Sequence, residues 1–149
     1  MTDQDEIARL PITEFGFPGP LRDRLVGAVL SGAKTATTGL LADYRICADP
    51  LPRAGARTAM VDSAGVRVAV LETTDVRVMP LGDVGVAHAR AEGEGYATVA
   101  AWRAAHEEFW HGAEMRAALG DPGFTVDDST EVVCERFRVA ADLRQGLGG

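Results

Sequence analysis

One α+β domain built around a small mixed or antiparallel barrel is the fold this sequence predicts, on three observations. Helical and strand periodicities follow one another in the order helix, strands, helices, strand. The chain has 149 residues, 46% hydrophobic and 25% charged, so it can bury one core without disulfides or metals. It carries no internal repeat, heptad or low-complexity block, and this composition opposes a disordered or fibrous chain.

Residues 1–20 are polar, then Pro- and Gly-rich (FGFPGP), and read as an arm laid on the domain, with 1–15 expected as a flexible end. From Pro20 the apolar residues Leu21, Leu25, Val26, Val29 and Leu30 recur at helical spacing, and Gly32 stands where a helix-ending glycine belongs. The Thr-rich run Lys34–Thr38 has strand character. Residues 45–57, with Pro50, Pro52 and Gly55, read as an irregular loop. Thr58–Val61 and Val66–Val78 read as strands joined by a turn at Asp62–Gly65. In the second strand Val68 and Val70 alternate with Ala69 and Leu71, as expected of a strand covered on both faces. Pro80 and Gly82 end it, and Val84–Ala91 predicts a short helix before the Gly-rich Glu92–Gly95. The clearest helix is 97–111, where Val99, Trp102, His106, Phe109 and Trp110 lie three and four residues apart. Gly120, Pro122 and Gly123 mark a loop. Thr130–Val139 returns to strand, with Glu135, Phe137 and Val139 on one face and Cys134, Arg136 and Arg138 on the other. The tail from residue 142 onward is expected to fray.

Charge narrows the functions. Fifteen Lys and Arg against 22 Asp and Glu give a net charge of -7. That balance opposes sequence-blind coating of a polyanion, which depends on many phosphate contacts, but leaves room for a local basic pocket or a small uncharged ligand. The N-terminus is acidic and lacks an apolar signal core, and no apolar run reaches the roughly 18 residues of a membrane span. A cytoplasmic protein with free thiols at Cys47 and Cys134 is expected. Neither cysteine forms a ligand cluster with the others or with His88, His106 and His111, so no structural zinc is expected.

Of the basic residues fourteen are Arg and one, Lys34, is Lys. A lone Lys among so many Arg suggests a task for a compact ammonium that a planar guanidinium does not perform. Lys34 stands three residues before Thr37, with Thr35 and Thr38 beside it. An amine close to a hydroxyl can deprotonate it or hold an oxyanion; the plain alternative is a strand start rich in β-branched residues. GAKTAT is not a phosphate-binding loop, because it lacks the GxxxxGK spacing and the helix precedes the Lys. Glu92 and Glu94 sit in a Gly frame, where they supply an acid or base or form an exposed acidic loop. Trp102, His106 and Phe109 share a helix face, either as core or with His106 at a pocket edge. Glu72 and Glu135 lie in apolar strands and require partners; Arg136 and Arg138 make an ion pair the easier expectation for Glu135.

The ordered set GAKTAT, LETTDVRVMPLGDV, ARAEGEG, AWRAAHEEFW and VVCERFRV resembles the ASCH domain family, a branch of the PUA-like fold, over about residues 15–140. More narrowly it is similar to bacterial members that carry the AEGEG segment followed by a Trp- and His-bearing helix. The resemblance implies a small β-barrel flanked by helices, with a cleft used for RNA or nucleosides. Members include metal-free amidohydrolases that remove the acetyl group from N4-acetylcytidine, and others assigned ribonuclease activity. In the amidohydrolase branch the Lys and Thr of a KTxT motif and a Glu are held to be catalytic, and these fall on Lys34, Thr37 and Glu94. Thr35, Tyr44, Trp102, Arg103 and His106 are the expected substrate-binding residues. No metal or other cofactor is expected, and the partner is a nucleoside-like molecule or a short single-stranded RNA. The chain departs from that branch in having Thr38-Gly39-Leu40 where an Arg usually follows the motif, and in its extra helical segment. A non-catalytic RNA- or nucleotide-binding module, with Tyr44 and Trp102 for stacking, is the competing expectation, followed by a ribonuclease using His106 and Lys34.

Overall fold

The computed structural model describes residues 4–144. The arm holds a helix α1 (Gln4–Arg9) and a two-residue strand β1 (Ile12–Thr13). The Arg67 guanidinium ties it down by donating to the carbonyls of Ile7 and Leu10. Helix α2 (Pro20–Ser31) begins at its proline and is closed by Gly32, whose φ of 86° is the left-handed conformation that glycine adopts without strain. Strand β2 (Ala36–Leu40) follows and leads into α3 (Leu41–Ile46), an unanticipated helix that overlaps the expected 45–57 loop only at Arg45 and Ile46. Strands β3 (Arg57–Val61) and β4 (Arg67–Pro80) flank the expected turn, in which the Asp62 carboxylate accepts from the amides of Ala64 and Val66. A 3-10 turn at Leu81–Asp83 leads to α4 (Val86–Ala91), α5 (Val99–Trp110), α6 (Ala113–Leu119) and β5 (Glu131–Asp142). Thus β5 continues three residues beyond the expected Val139, and the tail from 145 lies outside the described residues.

The five strands form one sheet in the order β1-β3-β4-β5-β2, with β1 parallel to β3 and the other pairs antiparallel. The sheet is open rather than a closed barrel. β1 is too short to reach the far edge, and at the start of β2 the Thr35 amide is taken by the Ala91 carbonyl at 2.8 Å. Register shifts at Val70/Leu71 and Thr73/Asp75 interrupt the pairing of β4 with β5, and one at Met60/Val61 interrupts its pairing with β3. Its early residues Val68–Leu71 are buried, as expected of a strand covered on both sides.

Alternation along β5 feeds two cores. Val132 and Cys134 join Leu40, Leu81, Trp102, Trp110, Met115 and Leu119 beneath α4–α6. Phe137 joins Phe15, Met60, Leu71 and the Leu25, Val26 and Val29 stripe of α2. Arg138 serves a different carboxylate from the expected one: Glu72, opposite Arg57 and Arg138 in register, accepts from both. Glu135 accepts instead from the Thr73 hydroxyl at 2.7 Å, because alternation turns it away from the face that carries Arg138.

Candidate functional site

Lys34 leaves the end of α2 with its amide bound to the Ala28 carbonyl, and its side chain turns inward to 1% exposure. Nζ donates to Glu92 Oε1 at 3.1 Å and to the Ala36 carbonyl at 2.9 Å, and lies 3.5 Å from Glu94 Oε2. An ammonium has three protons to place, and here it meets three acceptors. The Phe15 ring closes the site 5.7 Å from Nζ.

Gly93 delivers the two carboxylates. Its φ is 69°, and a Cβ there would stand 2.0 Å from the Ala33 carbonyl oxygen, so the backbones of 91–94 and 33–35 lie in direct contact. Thr35 clips them together, its hydroxyl reaching the Ala91 carbonyl at 3.2 Å beside the amide bond already described. The GAKTAT and AEGEG segments are thereby one structural unit.

Glu92 is also 1% exposed. Its Oε2 accepts from the Trp102 indole N–H at 2.6 Å and the Thr38 hydroxyl at 2.7 Å, with His106 Nε2 at 3.3 Å. Burial by itself would push this carboxyl up, but the His106 hydrogen bond, the Lys34 charge and the Thr38 bond outweigh it and hold the pKa at about 2. Glu92 is therefore ionised, and proton bookkeeping follows. His106 Nδ1 lies 2.9 Å from the Trp102 carbonyl and Nε2 faces the carboxylate, so both nitrogens face acceptors, an arrangement that favours the protonated ring. The Thr38 proton goes to Glu92, so His88 Nε2, 2.7 Å from the Thr38 oxygen, carries its own proton and donates.

Above this network lies a cleft of about 430 Å³ lined by Arg24 and Ala28 of α2 and by Gly93, Glu94 and Tyr96. Glu94 is 12% exposed and links cleft to network. The Tyr96 hydroxyl donates to Glu94 Oε1 at 3.5 Å, and burial together with the Glu94 charge pushes the phenol up to about 12.

The expected site residues separate. Lys34, Glu94 and His106 come together, and Thr35 braces them. Thr37 does not join them: it pairs in register with Glu135, and its neighbour Thr38 points to Glu92, so alternation sends Thr37 to the opposite face. Trp102, expected as a stacking surface, is fully buried and has no ring face to offer a base. Its indole instead packs 4.4 Å from the His106 ring. Arg103 is bound to Glu107 and Asp128, away from the cleft. Tyr44 lies against Gly39 and lines a separate hollow of about 520 Å³ with Leu41, Arg45 and Pro50. Thr38, His88, Arg24 and Tyr96 were not anticipated. Only the four-residue spacing of His88 and Glu92 at the end of α4 signalled one of these contacts in advance.

An open α+β sheet, in place of the closed barrel expected, thus carries the sealed Lys–Glu pair under a helix-walled cleft. The model of the ASCH domain matches residues 12–141, and the chain belongs to that family. It is similar to the crystal structure of an Enterococcus faecalis protein of the DUF984 family, with 28% identity and a TM-score of 0.79 over 93% of this chain and 81% of that one. It shares its fold with an ASCH domain from Lactobacillus crispatus, at 23% identity and a TM-score of 0.74 over 88% of this chain and 79% of that one. No curated protein matches it. Among the described residues no helix is long and apolar enough to cross a membrane.

The network has a pH signature. Burial lowers the His106 pKa, but the hydrogen bond and charge of Glu92 and the Trp102 carbonyl raise it further, to a net position above the ordinary 6.5. A folded pKa above the unfolded one gives stability that is complete below 6.5 and lost as pH rises through the folded value. His88 shifts the other way, lowered by burial against the pull of Glu92, so a variant comparison is needed to isolate His106. The Tm gap between wild type and His106→Gln is expected to be widest at about pH 6 and to narrow by about pH 9. A gap that does not change with pH would remove the imidazolium from this network.

Proposed function

We propose that this ASCH-domain protein binds a nucleoside-like molecule in the cleft between α2 and the 93–96 loop, and hydrolyses an N-acyl amide on it. The observation that carries this reading is Glu94, a carboxylate 3.5 Å from a buried ammonium and 12% exposed at the cleft wall. A general base needs a fixed orientation and access to the reacting atom, and Glu94 has both. In this mechanism Glu94 takes a proton from water, the resulting hydroxide attacks the acyl carbon, and the C–N bond breaks as Glu94 returns the proton to the departing amine. Lys34 orients Glu94 from 3.5 Å, and Tyr96 offers its hydroxyl to the oxyanion. Water takes the nucleophile's part that the resemblance assigns to Thr37, since Thr37 lies on the other face of β2. A cytidine acylated at N4 is small enough to avoid the many phosphate contacts that the net charge opposes.

A second reading, a non-catalytic nucleotide- or RNA-binding module, is favoured by the sealing of Lys34 at 1% exposure. The test is incubation of purified protein with N4-acetylcytidine and, separately, with a labelled short RNA. Release of cytidine and acetate is expected, with kcat lowered about 10²–10⁴-fold in Glu94→Gln. Ligand retention without release would replace the hydrolase by the binding module, and RNA cleavage without deacylation would replace it by a ribonuclease.

A further inference from the structure

We propose that Arg24 reads a phosphate at the mouth of the cleft, so that the preferred ligand is a phosphorylated nucleoside rather than the free nucleoside. This rests on the nucleoside reading of the cleft and specifies its substrate class.

The first support is that Arg24 is unengaged and stands on the cleft wall, whereas several arginines elsewhere are already occupied. Arg57, Arg103 and Arg138 are engaged by carboxylates, and Arg67 and Arg116 by backbone carbonyls. Arg22, two residues earlier on α2 and on its other side, is buried and donates to the carbonyls of Phe15 and Gly16. Arg24 is exposed on the cleft wall, and among the described residues it has neither hydrogen bond nor ion pair. Its electrostatic influence falls on Tyr96, across the cleft. A guanidinium with all its donors free presents the planar fork that matches a phosphate.

The second support is local charge. The cleft and the network beneath it hold two cations, Arg24 and Lys34, against two carboxylates, Glu92 and Glu94. Charge there is balanced in a protein of net charge -7. Lys34 is consumed by the carboxylates, so Arg24 is the cation left to meet a ligand. The arrangement is also polar along the cleft: Glu94 repels an anion, so a phosphate is directed to Arg24 and the uncharged acyl end to Glu94.

Calorimetric titration of wild type, Arg24→Ala and Arg24→Lys with N4-acetylcytidine, with its 5′-monophosphate and with a dinucleotide carrying the acetylated base tests the assignment. Wild type is expected to prefer a phosphate-bearing ligand over the nucleoside by about tenfold. The ratio should fall to about one in Arg24→Ala and take an intermediate value in Arg24→Lys, which keeps the charge without the fork. Preference for the monophosphate identifies a free nucleotide as the source, and equal preference for the dinucleotide identifies an RNA end. Nucleoside binding with a ratio near one in wild type, or a preference unchanged in Arg24→Ala, would overturn the phosphate role while leaving the nucleoside reading intact. Failure of all three ligands to bind would overturn both.

Discussion

Gly93→Ala is expected to destabilise the protein by roughly 3–5 kcal/mol, from strain and overpacking together. A Cβ at residue 93 would stand 2.0 Å from the Ala33 carbonyl oxygen, 2.3 Å from its carbon and 2.6 Å from the Lys34 amide. Every one of these atoms is backbone, so no side chain can rotate to relieve the clash. The φ of 69° adds its own cost, since a residue with a Cβ rarely occupies that region. The relief available is separation of the 91–94 loop from the 33–35 segment, which breaks both Thr35 bonds to Ala91 and withdraws Glu92 and Glu94 from Lys34. Chemical denaturation measures the loss. Gly95→Ala is the control: it also has positive φ, at 89°, but nothing lies within 4 Å of its added Cβ, so it should lose only the conformational cost of about 1–2 kcal/mol. Equal losses in the two variants would show that contact with Ala33 is not what requires glycine at 93.

The same residue marks the limit of what the sequence discloses. The helix from Pro20 to Ser31, the turn at Asp62–Gly65 and the strands around it are legible because each is specified by local chemistry: a proline start, a glycine stop, an Asp that caps its own turn. Helices α3 and α6 are not, because six or seven residues span too few turns for a period to show. Their stability comes from burying single anchors such as Leu41, Met115 and Leu119. Closure of the sheet is a long-range property, decided by whether the edge at Thr35 bonds to β1 or to Ala91. In the site, Lys34 stood out by composition and Glu94 by resemblance. Glu92 was visible only as one of two acids in a Gly frame, and nothing local reveals that it is the member sealed from solvent. Thr37 and Thr38 differ by one position, and a strand turns that difference into opposite faces. At Thr38, where the resemblance leads one to expect an Arg after the motif, this chain instead donates a hydrogen bond to Glu92.

Lys34→Met is expected to lower stability by about 3–5 kcal/mol at neutral pH, because it leaves the partner carboxylate buried without its principal cation. Met matches the length and bulk of the lysine stem, so the loss reports charge more than volume. In wild type Glu92 is held at about 2, and a carboxyl with a depressed folded pKa gives stability present above its ordinary 4.5 and lost as pH falls through the folded value. Removing Lys34 takes away one of the influences that depress it, so the gap between wild type and variant should narrow as pH falls from about 5 toward 2. Adding Glu92→Gln supplies the decisive comparison. The double variant has no buried carboxylate at that position, and its further loss should be much smaller than Glu92→Gln suffers alone. Denaturant unfolding of the four proteins at several pH values measures both effects. Additive losses would mean that the 3.1 Å contact contributes little and that the ammonium is balanced mainly by Glu94, 3.5 Å away. The outcome also governs how activity data are read. A lysine that anchors the fold gives an inactive variant whatever its chemical role, so loss of turnover on changing Lys34 carries no mechanistic weight by itself. Glu94, half a network removed and open to the cleft, is where chemistry and folding separate, and a folded but inactive Glu94→Gln protein is the result that assigns catalysis to this site.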